Sequence, residues 1–260
     1  MVKKIFKREF TRSAKILIIL SSITLGLSVA SAALSKLAEF SDGNVFVVIF
    51  STLLSGAFGS GISAVSAVET VIVFSGTYKA FATDEAYLTF TLPVSVKDHV
   101  KARYLSCLLW TFIIGAVNAL STAITLLFGY SGIYEGFSEV FSFGAAEIIA
   151  GAEIVLLVLC SVFFVVSQIF FAIIFGMTNA KKRKLGAIIL TLIAMYVIEG
   201  FAVSVFVALS SVFVAVFVGA GSAMIATDVV LGIIIIAVAG LSVLFYEISC
   251  NILNKRLNVD

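Results

Sequence analysis

Six separate stretches of this sequence are each long and apolar enough to cross a lipid bilayer, and this constrains the fold more than any motif does. A helix rises 1.5 Å per residue, so about 20 apolar residues cross a hydrocarbon core of about 30 Å. By that measure residues 16–37, 45–77, 104–128, 147–177, 185–218 and 229–253 qualify. They show no alternation of apolar and polar residues, which argues against the strands of a membrane barrel. Composition agrees: only 12% of the 260 residues are charged, against about 25% in a soluble domain. So few charges cannot cover a water-facing surface. A soluble enzyme, a disordered chain and a secreted disulfide scaffold are excluded. The expected fold is all-α, a single polytopic transmembrane domain over residues 1–260 with six transmembrane helices.

The basic residues set the orientation. Lys3, Lys4, Lys7, Arg8, Arg12 and Lys15 precede the first span, Lys79, Lys97, Lys101 and Arg103 follow the second, residues 181–184 follow the fourth, and Lys255 and Arg256 follow the sixth. With six spans, all of these fall on one side and Lys36 alone falls on the other. The positive-inside rule then places both termini in the cytoplasm of a multi-pass plasma-membrane protein. The opposite side carries Glu39, Asp42, Glu135, Glu139 and Asp228. The basic lead also has a pattern. Phe6 and Phe10 share a helical face with Ile5 beside them, so residues 3–13 read as an amphipathic elbow helix on the inner leaflet or as a basic tail that only sets topology. Ala30-Ser31-Ala32 resembles a cleavage site, and cleavage there would leave five spans with the same two faces.

The connection between spans two and three, residues 78–103, carries the most structure of any loop. Thr83 or Asp84 can cap a helix, and Asp84 with Glu85 places negative charge in its first turn, where the helix dipole favours it. Tyr87, Leu88 and Leu92 give an apolar flank, and Pro93 ends the helix. Ser95 restarts one, with Asp98 three residues on. Lys97, Lys101 and Arg103 are then expected at the headgroups. A short cytoplasmic helix with an apolar stripe wants a partner, or else it folds back on the inner leaflet.

The run Thr83-Asp84-Glu85-Ala86-Tyr87-Leu88-Thr89-Phe90-Thr91-Leu92-Pro93-Val94-Ser95 resembles a segment of the six-span permease subunits of bacterial ABC transporters, of the ABC type 2 class common in Gram-positive bacteria. The close match covers about 20 residues; the span plan and the basic lead extend it. Ala86 stands where Gly is common in that family, and Val96 where a basic residue is frequent. The resemblance implies that Asp84, Glu85, Tyr87, Leu88, Leu92 and Pro93 form a coupling helix on which a separate ABC ATPase subunit docks. It also implies export as the direction. The sequence holds no G-x-x-x-x-G-K-[ST], so ATP with Mg²⁺ would be bound by that partner subunit and this chain needs no cofactor of its own. Six spans are few for a translocation path. A homodimer, or a heterodimer with a related permease, would give twelve within the lipid bilayer. No nucleic-acid partner is expected.

Acids inside spans are expensive and mark candidate sites. Glu153 and Glu247 lie roughly 9 and 12 Å from span ends and can snorkel. Glu69 lies about 15 Å from Lys79 and Glu199 about 22 Å from Lys184. Acids at that depth must be paired, hydrated or neutral. No Lys or Arg within a span can pair them, so Glu69, Glu199, Asn118 and Gln168 are the translocation-path candidates, with packed neutral acids as the alternative. Residues 185–218 would reach about 51 Å as one helix. A break at Glu199-Gly200, or a turn back over residues 210–222, is expected. Small-xxx-small spacings over residues 55–61 favour close helix packing. His99 is expected to be solvated. Cys107, Cys160 and Cys250 read as buried thiols, and no metal site or nucleophile–base set is present, so enzyme chemistry in this chain is not expected. The alternative function is an ATP-independent secondary transporter or channel that uses Glu69 and Glu199, and a third reading is a non-transporting membrane assembly or immunity subunit.

Overall fold

A computed structural model describes residues 2–41, 44–82, 96–129, 145–179, 184–219 and 223–257. Six helices follow in order: α1 (Val2–Glu39), α2 (Val45–Ala82), α3 (Val96–Gly129), α4 (Ala145–Asn179), α5 (Lys184–Gly219) and α6 (Ala223–Leu257). No strand occurs among the described residues. All six are long and apolar enough to cross a membrane. Their outward faces carry large apolar side chains, such as Phe46, Leu53, Phe201 and Ile236 at 70% exposure or more. In water that surface would be intolerable; against acyl chains it is the expected one. The chain is a polytopic helical membrane protein.

The helices group into two compact units, and α2 and α3 contribute to both. The first unit holds α1 from Lys3, α2 up to Ser75 and α3 from Leu105. Its contacts fix the directions. On α1, Ser21, Leu27 and Ser31 meet Glu69, Gly61 and Ser55 of α2 in reverse order. Phe10 stacks on Trp110 of α3 near one end of α1 (ring centroids 4.6 Å apart), and Ser35 lies against Gly129 near the other. So α1 and α3 run parallel, and α2 runs antiparallel to α1, as successive crossings require. Along α1, Leu17, Thr24, Ser28, Ser31 and Ala32 are buried at spacings that keep one face inward. Small side chains at such a seam let helices approach closely in lipid, where the hydrophobic effect does not drive them together.

The second unit holds α2 from Gly76, α3 up to Tyr104, and α4, α5 and α6. Here α4 packs chiefly on α6, and rings fill the contact. Phe164 and Phe171 both lie against Phe245, with centroids 6.0 and 5.3 Å apart. The α4–α5 hairpin closes at Gly176, where a Cβ would stand 2.7 Å from the backbone nitrogen of Ile188. Only a residue without Cβ fits there.

Several expectations are corrected. The basic lead is helical but continuous with the first span, and no separate elbow is seen among the described residues. Stacking of Phe10 on Trp110 and the bond from Trp110 Nε1 to the Phe10 carbonyl (3.1 Å) hold that continuation against α3. Residues 184–219 form one unbroken helix rather than bending at Glu199-Gly200 or turning back after Ser210. In lipid a broken turn exposes backbone polar groups that nothing can satisfy, so one Gly does not interrupt the ladder. His99 and Arg103 are buried at 6 and 7% exposure, not solvated. The third helix begins at Val96, earlier than the apolar run suggests, and places the two one turn apart on an inward face. Cys160 is half-buried, whereas Cys107 and Cys250 are buried. Of the three glycines within residues 55–61, only at Gly61 would a Cβ meet a neighbour, Leu27; at Gly56 or Gly59 it would meet nothing within 4 Å.

Candidate functional site

Each candidate polar residue inside the membrane has a defined partner within its own unit. In the first unit Glu69 is fully buried on α2. Its Oε1 accepts a hydrogen bond from Ser21 Oγ at 2.8 Å, while its buried Oε2 has no hydrogen-bond partner among the described residues. One turn earlier on the same helix, Ser66 Oγ donates to Asn118 Oδ1 at 2.7 Å. Asn118 is thus bonded to Ser66, while Glu69 is served by α1. The two pairs succeed one another on one face of α2, because residues three apart are neighbours there. A fully buried acid with a hydrogen-bond partner for only one of its two oxygens among the described residues is a costly arrangement. It makes Glu69 the most chemically loaded position in this unit.

In the second unit Gln168 Nε2 donates to Glu199 Oε1. Gln168 is buried, and Glu199 is partly exposed on a helix whose other large side chains mostly face outward. The amide supplies one donor to the carboxyl, so the pair bridges α4 and α5 through a polar contact within the apolar hairpin. Of the other acids within spans, Glu153 is half-buried, with an Oε2 that has no hydrogen-bond partner among the described residues, and Glu247 is exposed.

The coupling candidates Asp84, Glu85, Tyr87, Leu88, Leu92 and Pro93 lie outside the described residues. What flanks them is described. The helix end before the connection and the helix start after it are tied together: the Arg103 guanidinium donates to the Gly76 carbonyl and lies 5.8 Å from the Phe81 ring centroid. Both flanks then reach α4 and α6. Phe81 meets Phe170 edge-on at 6.4 Å, and Tyr104 meets Phe170 at 5.3 Å and Tyr246 at 4.8 Å. Ser167 Oγ donates to the Phe163 carbonyl (2.8 Å), so its oxygen accepts from the Tyr104 hydroxyl at 2.7 Å. Sequence reasoning missed Tyr104, Ser167 and Tyr246. The available signal was a Tyr directly after Arg103 at the foot of an apolar run, with Tyr246 seven residues inside the end of the last one.

No group of three or more His, Cys, Asp or Glu residues able to hold a metal occurs among the described residues. Compared with known proteins, the chain matches no family model, no curated protein and no solved structure.

Proposed function

We propose that this protein is the membrane-spanning permease subunit of an ATP-driven exporter of the ABC type 2 class, in a cell membrane with both termini cytoplasmic. It works as a homodimer or with a related permease, and a separate ATPase subunit docks on residues 78–103. The observation that carries the reading is the sequence of Asp84–Pro93, two acids followed by apolar residues and a proline, in the connection between two long helices. The flanks of that segment are clamped to each other by Arg103 and to α4 and α6 by Phe81 and Tyr104. A push on the connection would therefore reach two further helices through rings in direct contact. ATP and Mg²⁺ belong to the partner subunit in this reading, and the chain itself performs no covalent chemistry. The translocated compound would meet an apolar path with few polar groups, of which Glu69, Asn118, Gln168 and Glu199 are the candidates.

The test is a mild-detergent purification of the tagged chain with mass spectrometry of what accompanies it. A stoichiometric ATPase carrying a Walker A motif is expected. Joint substitution of Tyr87, Leu88 and Leu92 by Ala should reduce its recovery at least tenfold. Unchanged recovery in the triple variant would refute the docking assignment. One observation favours a second reading, an ATP-independent transporter or channel that uses Glu69 and Glu199: the buried Oε2 of Glu69 has no hydrogen-bond partner among the described residues. In that case no ATPase accompanies the chain, and Glu69→Gln abolishes flux while the protein remains folded.

A further inference from the structure

Among the seventeen basic residues, Lys36 alone lies at the far end of the first span, where the remaining charges of the sequence are acidic. The structure gives this exception a setting. Beside Lys36, α1 and α3 line a half-open cavity of about 580 Å³. Val29, Ala32 and Ala33 line it from α1, and Ile124, Leu127 and Phe128 from α3. No wall residue but Lys36 carries a polar side-chain atom. The shape has a local cause. At Gly129 the two helices come close, since a Cβ there would stand 3.2 Å from the Ser35 Cβ. Ala32 and Ala33 stop at Cβ and leave a hollow. Ala32 forms its floor at 4% exposure, whereas Val29 and Phe128 are more than half exposed and form its mouth. What reaches that mouth in a membrane is lipid. The volume falls within the range of about 300–1,000 Å³ typical of ligand pockets.

We propose that this cavity holds an acyl chain of an anionic phospholipid, with the lipid phosphate on the Lys36 ammonium. The apolar walls suit a hydrocarbon tail and offer nothing to a headgroup. Lys36 is one-third exposed, as expected of a lysine whose stem lies on apolar surface while its charge reaches the interface. Its Nζ is 3.7 Å from Glu39 Oε2 and 5.7 Å from the Phe40 ring centroid. The contact with Glu39 is long and solvent-exposed, so an arriving phosphate competes with it at small cost. The site is independent of whether the protein is a transporter.

The full chain is reconstituted in phosphatidylcholine nanodiscs with a trace of phosphatidylglycerol carrying a photoreactive diazirine in its acyl chain. A matched phosphatidylcholine probe serves as the comparison, and crosslinks are mapped by mass spectrometry. Labels are expected on residues 29–33 and 124–128, about fivefold more with the anionic probe. Lys36→Gln should equalise the two probes, Lys36→Arg should retain the preference, and Glu39→Gln should increase it. Ala33→Phe fills the hollow and should remove labelling by both. Lys36→Gln changes only a surface charge, so the test stands even if Ala33→Phe fails to fold. Equal labelling of the unaltered protein by both probes would overturn the proposal. So would an anionic preference that survives Lys36→Gln, or no labelling of residues 29–33 and 124–128 by either probe.

Discussion

Along α1 the buried face is built from Thr24, Ser28 and Ser31, with Ser21 reaching Glu69, whereas α4 meets its neighbours through Phe164, Phe170 and Phe171. The two units thus solve one problem by opposite means. In lipid, apolar helices gain little by exchanging acyl chains for one another, so association needs close backbone approach, packing or hydrogen bonds. Apart from the stacking of Phe10 on Trp110 near one end of α1, the first unit uses mainly small hydroxylated residues. Most return their own proton to the preceding turn, as Thr24 does to Leu20 and Ser28 to Leu25. Ser21 instead crosses to an acid and Ser31 to the Ser55 carbonyl. The second unit uses rings and one fitted glycine, Gly176. The difference has a consequence for where chemistry can sit. A seam of hydroxyls can serve a fully buried carboxyl such as Glu69, while the partly exposed Glu199 relies on a single amide from Gln168.

The largest expected effect comes from removing a ring. Phe170 is fully buried and touches both Phe81 and Tyr104. Phe170→Ala should cost about 3–5 kcal/mol, read as a lowered midpoint of thermal unfolding in detergent. Ser28→Ala, also at a fully buried position, removes one oxygen already bonded within its own helix and should cost less than about 1 kcal/mol. Similar losses for the two would break the contrast between the units.

A smaller effect tests the hydroxyl seam where it crosses between helices. Ser21→Ala deprives Glu69 of its donor and leaves the carboxyl without a side-chain partner. Leaving a buried polar group without its partner costs about 1–3 kcal/mol. Pairing Ser21→Ala with Glu69→Gln in a double-mutant cycle should give a coupling of about 1 kcal/mol, and additivity would mean that the two side chains do not depend on each other.

The six helices were legible because an apolar run of about 20 residues has few other fates. The seam along α1 was not legible. Ser and Thr in a span can bond back to their own helix at almost any position, so their spacing does not mark the face they occupy. Glu69 and Glu199 were legible as anomalies, since an acid within an apolar run stands out, but their partners were not. Gln168 and Asn118 were among the candidates, and only contact distances assign the first to Glu199 and the second to Ser66. Arg103 misled for a clear reason. At the foot of a span a basic residue reads as a headgroup anchor, yet helix α3 starts early enough to turn it inward onto the Gly76 carbonyl. The span count could not foresee that the helix ends around residues 83–95 belong with α4 and α6.

The smallest effect is the most discriminating for the second unit. Tyr104 makes both kinds of contact: its ring lies against Phe170 and Tyr246, and its hydroxyl against Ser167. Tyr104→Phe keeps the rings and removes only the oxygen. Ser167 remains bonded to the Phe163 carbonyl, so no donor is stranded. The expected loss is therefore about 0.5–1.5 kcal/mol, the net worth of one neutral hydrogen bond, and less than that of Ser21→Ala measured in the same detergent. If Tyr104→Phe proves the costlier of the two, the second unit is held by its hydroxyl rather than by its rings. The two units would then share one means of association, and the contact of Phe81 and Tyr104 with α4 would have to be reargued as a polar one.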